Sequence, residues 1–321
     1  MRDPAVSVIV CTRDRPQQLL ECVAAVAVAA RQWPALETEI IVLENLSKPH
    51  LALDANEVLR TAEGHGVFIK LTVGGLSNAR NAGMDAARGR LLVFTDDDCI
   101  MDPGYIRDLA QHVADRPGHV FIGGRVKLAN PCDLPFTIKD SPDPETYGVS
   151  SHPGGFVPGC NFVISRMTAD RIGHFDTRFG AGAPFKAGED TDYIIRAHQA
   201  GVPIHYVPDM CVLHNHGRQH LHEVEQLSYC YSFANGALYG KYMRDAWLLK
   251  HLYWGLRSAV REKFGGPAFN PELGLSWGAV LRANLAGLRA YMTAPRPTHH
   301  TSLGPGLHAP PASTGARQLN D

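Results

Sequence analysis

A chain of 321 residues can hold one large α/β unit plus an appendage, and its 45% hydrophobic and 20% charged content is that of a packed protein, not a disordered one. The 31 basic and 32 acidic side chains nearly cancel. That excludes an overall charge that would draw the chain to nucleic acid, so an anionic ligand must be met locally. Seven cysteines, odd in number and scattered through strand-like and helix-like stretches, do not have the spacing of a secreted disulfide framework, and a reducing cytoplasm is expected.

Met1 to Ser7 carries Arg2 and Asp3 and runs straight into an apolar stretch, so no secretory leader is expected. No segment approaches about 18 consecutive apolar residues, so no spanning helix is expected either. Val6 to Cys11 is β-branched and almost wholly apolar, the pattern of a strand buried on both faces of a parallel sheet. It ends in the polar turn Thr12-Arg13-Asp14-Arg15-Pro16, after which Gln17 to Arg31 is rich in alanine and leucine, with Pro16 at a helix start.

Glu39 to Leu43 repeats the strand signature and stops at Glu44-Asn45, and Val67 to Leu71 supplies a third strand. Gly74-Gly75-Leu76-Ser77 follows, with Ser77 placed as an N-cap. Ala79, Ala82, Gly83 and Ala86 then share one helical face, small enough for close packing on a sheet. Leu91 to Thr95 runs directly into Asp96-Asp97-Asp98, which puts three carboxylates at the carboxyl end of a strand, the edge where open α/β sheets bind ligands.

Past residue 115 the rhythm changes. Val120 to Val126 and Phe156 to Ser165 read as strands around a Pro- and Asp-rich loop from Asn130 to Pro153. Residues 191–200 read as a helix, followed by the strand Ile204 to Val207. Helical patterns dominate from Glu223 to Phe264 and from Trp277 to Met292. The division expected is a catalytic unit over 1–222, a helical extension over 223–293 and a disordered tail over 294–321.

Three consecutive carboxylates repel one another unless cations or hydrogen bonds offset the charge, and their hard oxygens suit Mg²⁺ or Mn²⁺. A solvated acidic turn is the plain alternative. A second acidic group, Glu189-Asp190-Thr191-Asp192, stands at a helix start, where carboxylates are also favoured by the helix dipole alone.

Taken together, VSVIVCTRDR, EIIVLENLS, GGLSNARNAGMDAARGRLLVFTDDD and GHFDTRFGAGAPFKAGEDTDYIIRAHQAGVPIHYVPDMCVLHNHG resemble the family 2 glycosyltransferases in order and spacing. The resemblance runs from Val6 to about Arg218. It implies a GT-A fold, doubly wound α/β with a mixed sheet, a nucleotide-diphosphate sugar donor, a divalent metal (Mn²⁺ or Mg²⁺), and transfer with inversion.

Residue by residue, the resemblance places Thr12, Arg13, Arg15, Glu44, Asn45, Asn78, Arg80, Asp96 and Asp97 around the donor nucleotide. It gives Asp96, Asp98 and His214 to the metal, Asp190 to the proton from the acceptor hydroxyl, and Glu189 to orienting donor or acceptor. Gly159, Cys160 and Asn161 fall on the acceptor-side segment. Glu44 departs from the aspartate usual at its position, which loosens the assignment of uracil as the base.

Of the four histidines His214, His216, His220 and His222 that follow the strand-like Cys211-Val212-Leu213, only His214 matches a metal or diphosphate position in the family; the others are expected at the surface, with Arg218 as a phosphate contact. The acceptor implied is a glycan or a lipid-linked glycan of cell-surface polysaccharide or glycoconjugate synthesis. Trp247 to Leu256 interleaves aromatic and aliphatic residues with Lys250, Arg257, Arg261 and Lys263. The composition of 245–264 would suit an interfacial helix on an anionic membrane, but a helix packed on the core or across a homodimer is the expected reading. A dehydrogenase is disfavoured because no G-x-G-x-x-G follows the first strand, and a nucleotidyltransferase because Thr12 to Pro16 contains no glycine. The non-enzyme alternative is a degenerate GT-A scaffold, against which the presence of both Asp-x-Asp and Glu189-Asp190 argues.

Overall fold

The computed structural model describes residues 4–114, 116 and 118–295. Of the tail expected over 294–321, residues 296–321 lie outside the described residues. The strands are β1 (Val6–Thr12), β2 (Thr38–Glu44), β3 (Gly66–Lys70), β4 (Leu91–Asp96), β5 (Cys99–Met101), β6 (Phe121–Leu128), β7 (Glu145–Thr146), β8 (Asn161–Ser165) and β9 (His205–His214). The helices are α1 (Pro16–Gln32), α2 (Ala55–Thr61), α3 (Leu76–Ala86), α4 (Tyr105–Ala114), α5 (Arg166–Ile172), α6 (Glu189–Gln199), α7 (Leu221–Lys241), α8 (Ala246–Lys263) and α9 (Trp277–Thr293).

One mixed sheet runs β3-β2-β1-β4-β8-β6-β9-β5, with β7 on the side of β9. The all-buried pattern of β1 and β2 follows from cover on both faces. Val6, Val8 and Val10 point to Leu19, Val23 and Val26 of α1. Ile9, Ile41 and Leu43 point the other way, to Ala79 and Met84 of α3. The small-residue stripe of α3 thus lies where the sequence puts it, against the sheet.

Strand direction gathers the chemistry on one edge. β1, β2 and β4 are parallel, so Thr12, Glu44 and Asp96 end side by side. β8 is antiparallel to β4, with Thr95 opposite Asn161, so β8 begins at that edge. β6 is antiparallel to β8 and parallel to β9, which returns the end of β9, His214, to the same edge.

Three local expectations are corrected. Helix α3 begins at Leu76 with Gly75 as its N-cap residue, so Ser77 is not the cap; its hydroxyl donates to the carbonyl of Phe179 at 2.7 Å, tying the helix to a distant loop. Phe156 to Cys160 is turn rather than strand, since Pro158 interrupts it, and β8 begins only at Asn161. The short strand expected over Ile204 to Val207 runs on to His214 as the single strand β9, whose pairing with β6 slips between Gly124 and Arg125.

The helices after β9 form a layer locked onto the elements that precede it. α7 starts at Leu221. Lys241 at its end donates to Asp176 (2.8 Å) and to Asp192 of α6 (2.5 Å), and Tyr242 donates to the same Asp192 oxygen at 2.7 Å. α9 crosses α7 with backbones in contact: a Cβ on Gly287 would collide with the carbonyl of Phe233, and one on Gly236 with the carbonyl of Asn284. Gly255, in α8, has open space around its Cβ position.

These two kinds of glycine predict opposite signs. Gly287→Ala should lower stability by about 1–3 kcal/mol through overpacking. Gly255→Ala should raise it by about 0.5–1 kcal/mol, because only the backbone-entropy cost is removed. Denaturant midpoints of the two variants check both.

Candidate active site

The three carboxylates at the end of β4 have separate partners. Asp96 faces Arg80 at 3.4 Å. Asp97 accepts the hydroxyl of Thr12 at 2.7 Å and Arg15 at 3.1 Å. Asp98 accepts the same Arg15 nitrogen at 2.6 Å and lies 3.3 Å from Nε2 of His214. Arg15 is therefore a cation held between two carboxylates, which answers the repulsion that the sequence pattern raises.

The partners divide the triplet electrostatically. Burial pushes Asp97 up to about 6, against the opposing pull of Arg15 and Thr12. Burial also works against ionised Asp98, but His214, Arg15 and Arg218 outweigh it and its pKa falls below the usual value. For His214 burial disfavours the charged ring, yet the contact with Asp98 prevails and lifts its pKa to about 9.

Arg80 links the two halves of the site. Its guanidinium, 3% exposed, donates to Glu189 at 2.8 Å and to the carbonyl of Gly159 at 2.9 Å while facing Asp96. It lies over the rings of Phe162 and Phe175, with 5.8 and 5.6 Å to their centroids. The aromatic floor exists because β8 and the 173–176 turn press Phe94, Phe162, Phe175 and Tyr193 into one cluster.

Asp190 sits on the first turn of α6, where its Oδ1 accepts the backbone N–H and the hydroxyl of Thr191 at 2.6 and 3.2 Å. Its other oxygen lies against Gly159: a Cβ on that glycine would stand 2.8 Å from Oδ2. Burial raises the pKa of Asp190, with Arg80 opposing. Burial likewise pushes Glu189 up to about 7, with Arg80 pulling down and Asp190 adding to the rise.

Asp98, Cys99 and His214 bring one ligand atom each within 4.8 Å of one another, all buried. Nδ1 of His214 is buried without a partner, as are Nε2 of His216 and Nη1 of Arg218. A buried carboxylate and an imidazole beside the more open Asp96 fit a divalent cation, and the unpartnered nitrogens fit an adjoining anion. The side chain of His216, expected at the surface, is buried instead, with Nδ1 accepting the backbone N–H of Arg218 at 3.0 Å. His220 and His222 are exposed and stack on each other, and His220 caps α7 with Glu223.

Other expected residues are engaged locally. Glu44 accepts the backbone N–H of Leu53 at 2.9 Å and pairs with Lys70 at 3.3 Å, which closes the loop after β2. Asn45 accepts the N–H of Gly75 at 3.1 Å, and Asn78 donates to the carbonyl of Gly74 at 2.6 Å. Arg13 is exposed at the rim. Cys160 packs into the core. Asn161 is fully buried, holding the carbonyls of Arg125 and Met210 and accepting from Tyr105, so it forms part of the floor and presents nothing to a ligand.

Sequence reasoning missed Tyr231. Its ring stacks on Phe136 at 6.0 Å. Burial raises the pKa of its hydroxyl, and the charges of Asp190, Glu189 and Asp96 add to the rise against Arg218, while 40% of the residue is exposed. A lone tyrosine inside a helical pattern carries no signal of that position.

Residues 7–173 match the family model described as Glycosyl transferase family 2. No curated protein matches the chain in sequence. Among solved structures, the mannosyltransferase PcManGT of Pyrobaculum calidifontis, in complex with GDP-Man and Mn²⁺, is 17% identical with a TM-score of 0.54 over 92% of this chain and 77% of that one. S. aureus TarS 1–349 in complex with UDP-GlcNAc is 14% identical, with a TM-score of 0.51 over 72% of this chain and 66% of that one. TarS 1–349 in complex with UDP is 13% identical at the same TM-score, over 72% and 65%. The chain thus spans just under two thirds of the TarS 1–349 structures, and the likeness establishes a GT-A fold.

Removing Arg80 leaves Glu189 and Asp96 without their cation, and Arg80→Met is expected to cost about 3–5 kcal/mol. Glu189 has a folded-state pKa of about 7 against an ordinary 4.5, so its ionisation costs stability as pH rises through that interval. The Arg80→Met defect should therefore be larger at pH 8 than at pH 5, and urea unfolding at both pH values measures it.

Proposed function

This chain belongs to glycosyl transferase family 2, and from that premise we propose that it transfers a sugar from a nucleotide-diphosphate sugar to a hydroxyl of its acceptor, with inversion at the anomeric carbon. The observation that carries this reading is the single sheet edge on which Asp96 to Asp98 and Asp190 are joined through Arg80 and Glu189. A site that only bound a sugar nucleotide would need the first group and not the second.

In this reading Asp190 accepts the proton of the acceptor hydroxyl as that oxygen attacks the anomeric carbon. The bond from that carbon to the diphosphate oxygen breaks, and its electron pair leaves with the nucleoside diphosphate. The raised pKa of Asp190 makes it a better base than a free aspartate, and Gly159 leaves room for its carboxylate at the sugar. Glu189, held by Arg80, keeps that cation fixed between base and leaving group.

His216 and Arg218 have buried, unpartnered nitrogens with which to hold the diphosphate. Asp98 and His214, with Asp96, would hold a divalent cation, Mn²⁺ or Mg²⁺. When bound, it supplies charge neutralisation of the leaving diphosphate. Arg15, which bridges Asp97 and Asp98, would then be available to the donor phosphates.

We take a UDP-sugar as the donor, bound between Thr12, Glu44, Asn45 and the start of α3. The acceptor we infer is a glycan or lipid-linked glycan in cell-surface polysaccharide or glycoconjugate synthesis, reached from the side of Tyr231 and the 149–160 loop in the cytoplasm.

Asp190→Asn should lower the transfer rate by about 10²–10⁴-fold and leave Mn²⁺-dependent binding of the donor near normal. Asp98→Ala should weaken both. A thermal-shift panel of nucleotide sugars with Mn²⁺ identifies the donor by the largest rise in melting temperature, and single-turnover transfer then separates the variants. Near-normal turnover by Asp190→Asn would remove this residue as the base.

A further inference from the structure

Helix α8 has an outer face that nothing in the active site requires. Its inner stripe, Leu248, Gly255 and Ala259, is buried. On the opposite side Lys250, Tyr253, Arg257, Val260 and Phe264 follow one another at helical spacing, flanked by Trp254, Leu256, Arg261 and Lys263, and all are exposed. Tyr253 is 59% exposed, Trp254 42% and Phe264 87%.

The charge on this face has one sign. Glu262 is the only carboxylate in α8, and it is turned to the start of α9, where it accepts the N–H of Gly278 at 3.1 Å. Lys250, Arg257, Arg261 and Lys263 have no carboxylate partner among the described residues. The guanidinium of Arg257 lies over the ring of Trp254, 5.0 Å from its centroid. In a chain with almost no net charge, four unpaired cations interleaved with large apolar side chains on one helix form a local feature.

We propose that this face docks on an anionic lipid bilayer, with the cations at the headgroups and Tyr253, Trp254, Leu256, Val260 and Phe264 entering the interface. No helix among the described residues is long and apolar enough to cross a membrane, so the contact is a surface one. Anionic headgroups above an acyl layer supply a counter-charge for every cation and an apolar phase for every ring within one helix radius. Tryptophan and tyrosine are the side chains that settle at that boundary. A second copy of the chain fits poorly: a two-fold interface centred on this stripe would set the same unpaired cations against each other.

The placement has a use for the reaction proposed above, although the binding itself does not rest on it. His251 of α8 packs on His152, ring centroids 5.0 Å apart, in the loop that leads to Gly159. A docked α8 holds this acceptor-side loop near the lipid surface.

Co-sedimentation of the full chain with phosphatidylcholine vesicles, with and without phosphatidylglycerol, tests the proposal. Binding should require phosphatidylglycerol, weaken as salt is raised, and fall about fivefold in partition coefficient for each of Lys250, Arg257, Arg261 and Lys263 changed to Gln. The double variant Trp254→Ser/Phe264→Ser should also lose binding, and because both side chains are exposed its circular dichroism and melting should be unchanged. Failure of the wild-type chain to bind phosphatidylglycerol vesicles would overturn the proposal, as would undiminished binding by the cation and aromatic variants. A solution dimer that the aromatic variant converts to monomer, without vesicle binding, would give the face to a second copy and overturn it too. None of these readouts involves sugar transfer, so they stand apart from the enzymatic reading.

Discussion

The geometry of the site depends on a guanidinium placed where water cannot reach it. Arg80 lies on α3 above a floor of phenylalanines, and in that surrounding a cation is tolerated only if the groups around it neutralise and hydrogen-bond it. It draws in Asp96 from β4, the carbonyl of Gly159 ahead of β8, and Glu189 from α6. Three segments far apart in sequence are thereby held in register, and Asp190 is carried to its place by being next to Glu189. The charges expected to act on substrate are thus also the ones that fix the backbone carrying them.

This arrangement explains why neighbouring carboxylates behave differently. Asp97 is buried and only partly compensated by Arg15, whereas Asp98 has both Arg15 and His214 and stays acidic. In the reaction proposed above, Arg15 and His214 stand where a bound cation and diphosphate would require that charge to be redistributed.

The features legible in the sequence were those with a short-range cause. β1, β2 and β4 announce themselves by unbroken apolar runs, and the triplet by falling directly after one of them. Their gathering on one edge follows once strand directions are known, and the matched family pattern supplied those. What escaped depends on long-range partners. Ser77 has the chemistry of a cap, but Phe179, about a hundred residues away, claims its hydroxyl. His216 belongs to a polar run yet is buried because Asp133 and the turn at Arg218 fold over it. Asn161 looks like a ligand-binding amide and is consumed by two carbonyls of the sheet.

The helical layer is commonly read as an accessory, but the crossing of α7 and α9 gives it another meaning. Gly236 and Gly287 bring the two backbones to the closest approach that a polypeptide allows, so the separation of these helices is set by main-chain atoms and not by adjustable side chains. α8 packs chiefly on α9, and α7 is pinned to α6 through Asp192. The offset between the outer face of α8 and the carboxylate of Asp190 is therefore a rigid dimension of the molecule, a built-in standoff. If α8 docks on a bilayer and Asp190 is the base, as proposed above, an acceptor anchored at that surface would present only hydroxyls lying at that height, so the length of its spacer, rather than recognition of its sugars alone, would decide which position is modified.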